Sequence, residues 1–236
     1  MNPFTAFVNY IMVIIDYQKK LHKQIINACV LALKQGKVIA YPTDTSYGLA
    51  VDAGSVRAIK KLYQIKGRNF NKPLHVVVPS LAYAKRIVIW NKAMEKLSHR
   101  FWPGALTLIA VLKVSARGGS ASGGKSKKLK VLSANTGTIG LRMPKNNIAQ
   151  DLAKNLGRPI TATSANVSGQ ADCYSAGDII GQFKNQKYKP DIIINAGKLP
   201  KRKPSTLVRV FDDVVKVLRQ GPVTEKQILK SLRSTK

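Results

Sequence analysis

Acidic residues are scarce in this sequence. Its 236 residues include 11 Asp and Glu against 40 Lys and Arg, which gives a formal net charge of +29. Between Asp52 and Asp151 the only acid is Glu95, and no pair of carboxylates stands out for acid–base catalysis. This charge favours anionic partners, either nucleic acid or phosphorylated small molecules. A solvated basic surface without a specific partner is the alternative, because the cations are spread along the whole chain.

Histidine and cysteine are also rare. The three histidines, His22, His75 and His99, lack the Ser or Cys partner pattern of a nucleophilic enzyme. Cys29 and Cys173 are far apart and lack metal-ligand spacing, which argues against a disulfide framework and against a zinc site. This cysteine usage fits a reducing compartment, so we expect a cytoplasmic protein.

The apolar periodicity predicts an α/β fold. A helix is expected over residues 16–35, ending at Gly36 and followed at once by the strand VIAYP. The runs STLVRVF and VVKVLRQ are separated by two aspartates only, which predicts an antiparallel pair. Helices and strands alternate along the rest of the chain. We therefore expect a single domain built on a twisted mixed sheet that is flanked by helices.

Three segments are expected along the chain. Residues 1–20 form an N-terminal extension or a first strand, and their apolar stretch is too short to span a bilayer, so no membrane role is expected. Residues 21–222 form the main domain, with a flexible basic insertion at about 115–136. Residues 223–236 form a C-terminal helix or tail.

The insertion contains a phosphate-loop pattern. Residues 119–126, GSASGGKS, match G-x-x-x-x-G-K-[ST] letter for letter. Such a loop needs a strand before it and a helix after it. The run LTLIAVL supplies the strand, but the residues after Ser126 show no apolar helical stripe. A flexible surface loop is therefore favoured over a phosphate loop, which would depend on Lys125.

Four short polar stretches accompany apolar strands, where open α/β sheets bind ligands. They are YPTDTSYG (41–48), KGRNFNKP (66–73), GLRMP (140–144) and TATSANVSG (161–169). The second stretch carries Lys66, Arg68 and Lys72, which can clamp a polyphosphate or form a solvated basic turn. Arg142 lies inside an apolar run, so its charge needs a partner, either a ligand anion or a structural carboxylate.

The fourth stretch is rich in hydroxyl and amide side chains. Thr161, Thr163, Ser164, Asn166 and Ser168 can bind a phosphate, a ribose or an amino-acid backbone, or they can cap a turn. Positioned cations and hydrogen-bond donors suit phosphoryl or nucleotidyl transfer, in which the protein mainly orients groups and stabilises charge.

Seven blocks follow one another in order: YPTDTSYGL, KGRNFNKPL, WPGALTLI, IGLRMP, TATSANVSG, PSTLVRV and LRQG. Over residues 37–221 they resemble the signatures of the YrdC-type threonylcarbamoyl-AMP synthases, the short single-domain form within the YrdC/YciO family. The resemblance implies that the main domain is catalytic and forms threonylcarbamoyl-AMP and pyrophosphate from L-threonine, bicarbonate and ATP. The product serves the N6-threonylcarbamoyladenosine modification of tRNA, with threonylcarbamoyl-transferase complex proteins as partners. Mg²⁺ would be carried on ATP, with no tightly bound cofactor and no metal ligand.

The resemblance also implies residue roles. The implied catalytic residues are Lys66, Arg68 and Arg142. ATP would contact Arg68, Lys72, Thr138, Ser164, Asn166 and Arg219. Threonine would contact Thr45, Arg142, Thr163 and Ser205.

Two alternatives remain at this point. The first is a basic module that binds tRNA or double-stranded RNA through phosphates, without catalysis. The second is a sister branch of the same family with a less defined role, which lacks the SAN signature. The intact SANVSG at 164–169 argues against that branch.

Overall fold

The computed structural model describes residues 12–113, 131–212 and 214–233. Within these ranges the α-helices are α1 (His22–Lys34), α2 (Val56–Lys66), α3 (Leu81–Ile87), α4 (Lys92–Phe101), α5 (Asn147–Leu156), α6 (Ala176–Phe183) and α7 (Glu225–Arg233), with a short 3₁₀ helix at Lys19–Leu21. The strands are β1 (Val13–Asp16), β2 (Ile39–Pro42), β3 (Tyr47–Ala50), β4 (His75–Val77), β5 (Leu106–Val111), β6 (Thr138–Arg142), β7 (Ile160–Thr161), β8 (Thr163–Ser164), β9 (Ile192–Asn195), β10 (Thr206–Phe211) and β11 (Val214–Arg219).

The strands form two mixed sheets. The first sheet has the order β1-β9-β2-β3-β8, and the second has the order β11-β10-β5-β6-β4-β7. The α/β class and the antiparallel pairing of β10 with β11 are confirmed. The expectation of one sheet is wrong, because the run PITATSAN divides at Ala162 into two short strands. One of them, β7, pairs with β4 in the second sheet, whereas β8 pairs with β3 in the first.

Thr161 ties the two sheets together at this division. Its hydroxyl donates to the carbonyl of Leu49 at 2.9 Å and accepts from the backbone N–H of Val51 at 3.0 Å. The next residue, Ala162, donates its backbone N–H to the carbonyl of His75 at 2.7 Å. The chain therefore passes from one sheet to the other with its buried polar groups paired, as burial requires.

Two groups of buried apolar residues fill the interior. The larger group contains residues of both sheets, such as Leu49 and Leu141, and of helices α2 and α4. The smaller group lies where α1 and α5 pack on β2, around Leu33, Tyr41 and Leu152. Burial of these apolar faces holds the helices against the sheets and fixes the strand ends.

The helix α2 begins and ends where its sequence predicts. The Ser55 hydroxyl accepts from the backbone N–H of Ala58 at 3.2 Å, which is an N-cap bond. Gly67 ends the helix in the left-handed region, with φ of +57°. This turn leaves Lys66 on the helix and starts the polar loop at Arg68.

Parts of the sequence lie outside the described residues. They include the phosphate-loop pattern at 119–126 and most of the insertion, residues 115–130. Among the described helices, none has the length and apolar character that a membrane crossing requires.

Gly221 allows the chain after β11 to pack on the start of β10. A Cβ at this position would overlap the carbonyl oxygen of Pro204 and lie 2.7 Å from the backbone nitrogen of Thr206. These are backbone atoms, so no side-chain rotation can relieve the overlap. The close approach keeps Ser205 beside the segment that carries Arg219.

We expect Gly221→Ala to lower the free energy of unfolding by about 1–3 kcal/mol, because the extra methyl group forces a backbone shift. Urea denaturation measures this difference. The matched control is Gly181→Ala, on helix α6, where an added Cβ meets no atom of the described residues within 4 Å. Alanine there should stabilise the helix by about 0.5–1 kcal/mol. Equal effects of the two substitutions would contradict this account of Gly221.

Candidate active site

A cavity of about 190 Å³ opens where the polar stretches after several strands meet. The four stretches that the sequence singled out all contribute to its wall. The predicted site residues that line it are Thr45, Arg68, Arg142, Thr163, Ser164, Ser205 and Arg219. The other predicted site residues, Lys66, Lys72, Thr138 and Asn166, do not line it.

Lys66 is buried beneath the cavity wall, with 2% of its surface exposed. Its ammonium donates to the carbonyls of Ser164 and Asn166 at 2.6 and 2.7 Å, and to the Asn166 Oδ1 at 3.2 Å. Burial, and then the positive charge of Arg68, lower the pKa of Lys66 to about 8. The side chain therefore remains mostly protonated at pH 7 and ties α2 to the SAN turn.

Asn166 completes that turn from within. Its Oδ1 accepts the Ser164 hydroxyl at 2.5 Å, and its Nδ2 donates to the carbonyls of Val167 and Gln170 at 3.0 and 2.6 Å. Ser164 lines the cavity, and because its hydroxyl hydrogen is used in this bond, its oxygen is left to accept a hydrogen bond. The structure thus places Asn166 behind Ser164.

Arg68 is held by the loop that it belongs to. Its Nη2 donates to the carbonyl of Pro73 at 3.0 Å, and its Nε lies 3.5 Å from the carbonyl of Lys72. The Lys72 carbonyl also accepts the Tyr63 hydroxyl at 2.7 Å, whereas the Lys72 residue itself is exposed. The loop therefore presents one guanidinium to the cavity.

Thr138 lies at the opposite end of β6 from Arg142. The two positions are four residue steps apart along the strand, which corresponds to about 13 Å. Its hydroxyl is 3.0 Å from that of Thr136, outside the cavity lining. The structure does not bring Thr138 together with the other predicted residues.

Arg142 has a protein carboxylate as its partner. Its Nη2 forms an ion pair with Asp44, and the two side chains are 10% and 8% exposed. Both terminal nitrogens lie 3.4 Å from the Thr45 hydroxyl, and the buried Nε has no hydrogen-bond partner among the described residues. Sequence reasoning missed Asp44. Acids are rare in this chain, so an aspartate next to the predicted site residue Thr45 was the signal for a carboxylate partner of Arg142.

His75 lines the cavity, although sequence reasoning set it aside. It lies on β4 opposite Gly140 of β6. A Cβ added at Gly140 would be 2.5 Å from the Cδ2 atom of His75. Burial, and then the charges of Arg219, Arg68 and Arg142, lower the pKa of His75 to about 4. The imidazole is therefore neutral at pH 7. The available signal was its position two residues before Val77, which places both side chains on the same face of the strand.

Arg219 reaches the cavity from the end of β11. Its Nε and Nη2 donate to the carbonyl of Ser205 at 3.2 and 2.9 Å. Burial is the main cause that lowers the pKa of Arg219. The Ser205 hydroxyl is in turn 2.8 Å from that of Thr107 on β5. Three guanidinium groups from distant parts of the chain thus face one cavity, an arrangement suited to carboxylates and phosphates.

The fold and this cavity define an α/β protein with an arginine-lined cavity between two mixed sheets. The sequence profile of the Sua5/YciO/YrdC family, described as telomere recombination, matches residues 31–221. The chain belongs to this family.

Two similar proteins carry the name of a synthase. A threonylcarbamoyl-AMP synthase of Bacillus subtilis is 34% identical over 212 residues, which cover 87% of this chain and 55% of that protein. A putative threonylcarbamoyl-AMP synthase of Methanocaldococcus jannaschii is 29% identical over 215 residues, which cover 91% and 94% of the two chains. The chain thus spans about half the length of the first relative and most of the second.

Solved structures show the same architecture. Pyrococcus abyssi Sua5 complexed with L-threonine superposes with a TM-score of 0.80 at 27% identity, over 94% of this chain and 61% of that chain. Escherichia coli YciO superposes with a TM-score of 0.73 at 25% identity, over 92% and 97% of the two chains. The Sua5 and YciO structures therefore share this fold with the chain.

We expect Asp44→Ala to lower the free energy of unfolding by about 3 kcal/mol, because it leaves the Arg142 guanidinium buried without its carboxylate. Urea denaturation measures the loss. The matched control is Lys85→Met, which removes a half-exposed ion pair with Glu95 and should cost less than about 1 kcal/mol. Adding Arg142→Met to Asp44→Ala should restore part of the loss. A similar small cost for both single variants would contradict the buried-pair account.

The lowered pKa of Lys66 predicts a pH dependence of stability. Between about pH 8 and 10.5 the unfolded lysine holds a proton that the folded one has released, so stability rises with pH in this window. We expect the wild type to gain unfolding free energy relative to Lys66→Met as the pH rises from 8 to 10. Parallel profiles for the two proteins, which share all other titrating groups, would show that burial does not depress this pKa.

Proposed function

We propose that the protein is an L-threonylcarbamoyladenylate synthase, a nucleotidyltransferase that joins L-threonine, bicarbonate and ATP. The products are threonylcarbamoyl-AMP and pyrophosphate, and the adenylate serves the N6-threonylcarbamoyladenosine modification of tRNA. The observation that carries the proposal is the convergence of Arg68, Arg142 and Arg219 on one cavity. The names of the Bacillus and Methanocaldococcus relatives, and the threonine complex of the Pyrococcus protein, support threonine and an adenosine nucleotide as the ligands of this cavity.

Threonine would bind beside Arg142 and Thr45. The buried Nε of Arg142 has no hydrogen-bond partner among the described residues, and a guanidinium can donate two parallel N–H bonds to a carboxylate. The threonine carboxylate can therefore add to the pair with Asp44 without replacing it. Thr163 and Ser205 line the same cavity and can contact the amino acid through their hydroxyl groups.

The ATP phosphates would bind Arg68 and Arg219, and Ser164 would contact the nucleotide. Lys66 and Asn166 would be positioning residues, because their polar groups hold the turn that presents Ser164. Lys72 is exposed at the end of the same loop, where it can add charge for the polyphosphate. The proposed nucleotide contact of Thr138 has the least support, because its side chain lies outside the cavity lining.

The reaction needs orientation and charge stabilisation more than a side-chain nucleophile. The threonine amine and bicarbonate combine to a carbamate with loss of water, and a carbamate oxygen attacks the α-phosphorus. The bond from the α-phosphorus to the pyrophosphate oxygen breaks, and the electron pair leaves with pyrophosphate. The guanidinium groups stabilise the developing charge. Mg²⁺ carried on ATP would share in neutralising the phosphates.

The adenylate is an activated intermediate, so proteins of a threonylcarbamoyl-transferase complex would consume it, in the cytoplasm where tRNA is modified.

The net charge of +29 favours an additional contact with tRNA or double-stranded RNA. It also supports the second candidate function, a basic RNA-binding module without catalysis. The SANVSG stretch, whose turn is fixed by the buried Lys66, argues against the sister branch that lacks the SAN signature.

Pyrophosphate release from ATP by the purified protein tests the proposal. We expect release that requires both L-threonine and bicarbonate and that falls at least about 100-fold in Arg68→Ala, because a charge-stabilising group is lost. The matched control is Lys125→Ala, which removes a cation from the phosphate-loop pattern and should leave the rate unchanged.

Two other outcomes would contradict the proposed synthase activity. Phosphate release without threonine that depends on Lys125 would indicate a phosphate-loop ATPase. No release in any mixture, together with salt-sensitive RNA binding that Arg68→Ala barely changes, would favour the RNA-binding module.

A further inference from the structure

Asp172 is the only carboxylate among the described residues that line the cavity. It follows the SANVSG stretch and is partly buried. In the described part of the chain no group hydrogen-bonds to its carboxylate or forms an ion pair with it. A carboxylate accepts hydrogen bonds or binds cations, and this one remains available for a ligand.

The surroundings of Asp172 are strongly positive. Burial is the main cause that lowers the pKa of Lys66 and Arg219, and the charge of Asp172 opposes this lowering in both, so Asp172 lies within electrostatic reach of the groups next to the proposed phosphate site. Arg68 and Arg142 line the same cavity. A single negative side chain among these cations nevertheless makes no ion pair in the described residues, which separates it from the carboxylates that serve the fold, such as Asp44 and Asp191.

The donor set fits Mg²⁺ that arrives with a nucleotide. Mg²⁺ prefers oxygen ligands, keeps several waters, and is commonly held by one or two carboxylates together with substrate phosphates. The described residues contain no group of three His, Cys, Asp or Glu side chains that could hold a metal ion by themselves. A site with one carboxylate would therefore bind the metal only when the phosphates supply the other anionic oxygens.

We propose that Asp172 is the protein ligand of the divalent cation that accompanies ATP. The inference rests on the proposed function, because the phosphates must occupy the cavity beside Arg68 and Arg219. The Asp172 carboxylate then distinguishes a nucleotide that carries the metal from one that does not. Toward metal-free triphosphate it is a repelling charge, and toward the magnesium complex it is an attracting one.

The two effects have opposite signs, which gives a sharp test. The probe is the α,β-methylene analogue of ATP, which cannot release pyrophosphate, titrated by calorimetry with MgCl₂ or with EDTA. For wild type we expect Mg²⁺ to strengthen binding. In Asp172→Asn the magnesium complex should bind at least about tenfold more weakly than to wild type, in the range of lost metal-site partners. The metal-free analogue should bind Asp172→Asn as tightly as wild type or more tightly.

A matched control removes the same charge elsewhere. Glu225→Gln lies at the exposed start of α7 and should leave both titrations unchanged. Asp172→Glu keeps the carboxylate and should retain most of the magnesium effect, which a merely structural role of this position would not predict.

Several outcomes overturn the inference. Equal weakening of Asp172→Asn with and without Mg²⁺ would make Asp172 a direct nucleotide contact, and unchanged affinities would remove it from the site. If wild type binds no nucleotide, the proposed function fails as well. If wild type releases pyrophosphate with threonine but Asp172→Asn shows no magnesium difference, only the inference fails.

Discussion

Three guanidinium groups face one cavity, and their mutual repulsion is the constraint on which the rest of the site depends. Each must be fixed by a protein oxygen before a ligand arrives. Arg68 donates to the carbonyl of Pro73, Arg219 to the carbonyl of Ser205, and Arg142 pairs with Asp44. The protein thereby pays the cost of gathering like charges during folding, and an anionic ligand relieves it on binding.

The oxygen atoms that hold the arginines are themselves fixed by the fold. The carbonyl of Ser205 is kept in place by the close approach of Gly221 to the start of β10. The loop that holds Arg68 begins at the left-handed turn of Gly67 and is anchored by the Tyr63 hydroxyl. The turn that presents Ser164 depends on the crossing of the chain between sheets and on the buried ammonium of Lys66. Local geometry in three places thus sets the geometry of one cavity.

Much of the fold could be predicted from local sequence signals. The cap at Ser55, the turn at Gly67 and the antiparallel pair β10–β11 all depend on residues that are close in sequence. The two sheets could not be predicted in this way. Whether each short strand beside Ala162 pairs with β3 or with β4 depends on residues about 85 to 115 positions away in the chain.

The candidate site shows the same division. Polar stretches at strand ends indicated which segments carry function, and seven of the predicted residues line one cavity. The sequence could not show that Lys66 turns inward, because its position on the buried face of α2 competes with the usual exposure of lysine. It also left open which anion meets Arg142, and the fold supplies Asp44 from the loop between β2 and β3.

The electrostatics of the cavity also explain why its histidine cannot add to the positive charge. Burial and three nearby guanidinium groups keep His75 neutral until the pH falls to about 4. Between pH 6.5 and 4 the unfolded chain binds a proton that the folded chain does not, so this histidine lowers stability as the pH falls through that window. At neutral pH the imidazole can donate or accept a hydrogen bond without changing the charge of the cavity. The cavity therefore presents the fixed positive charge of its arginines to a ligand, with a neutral polar group beside them.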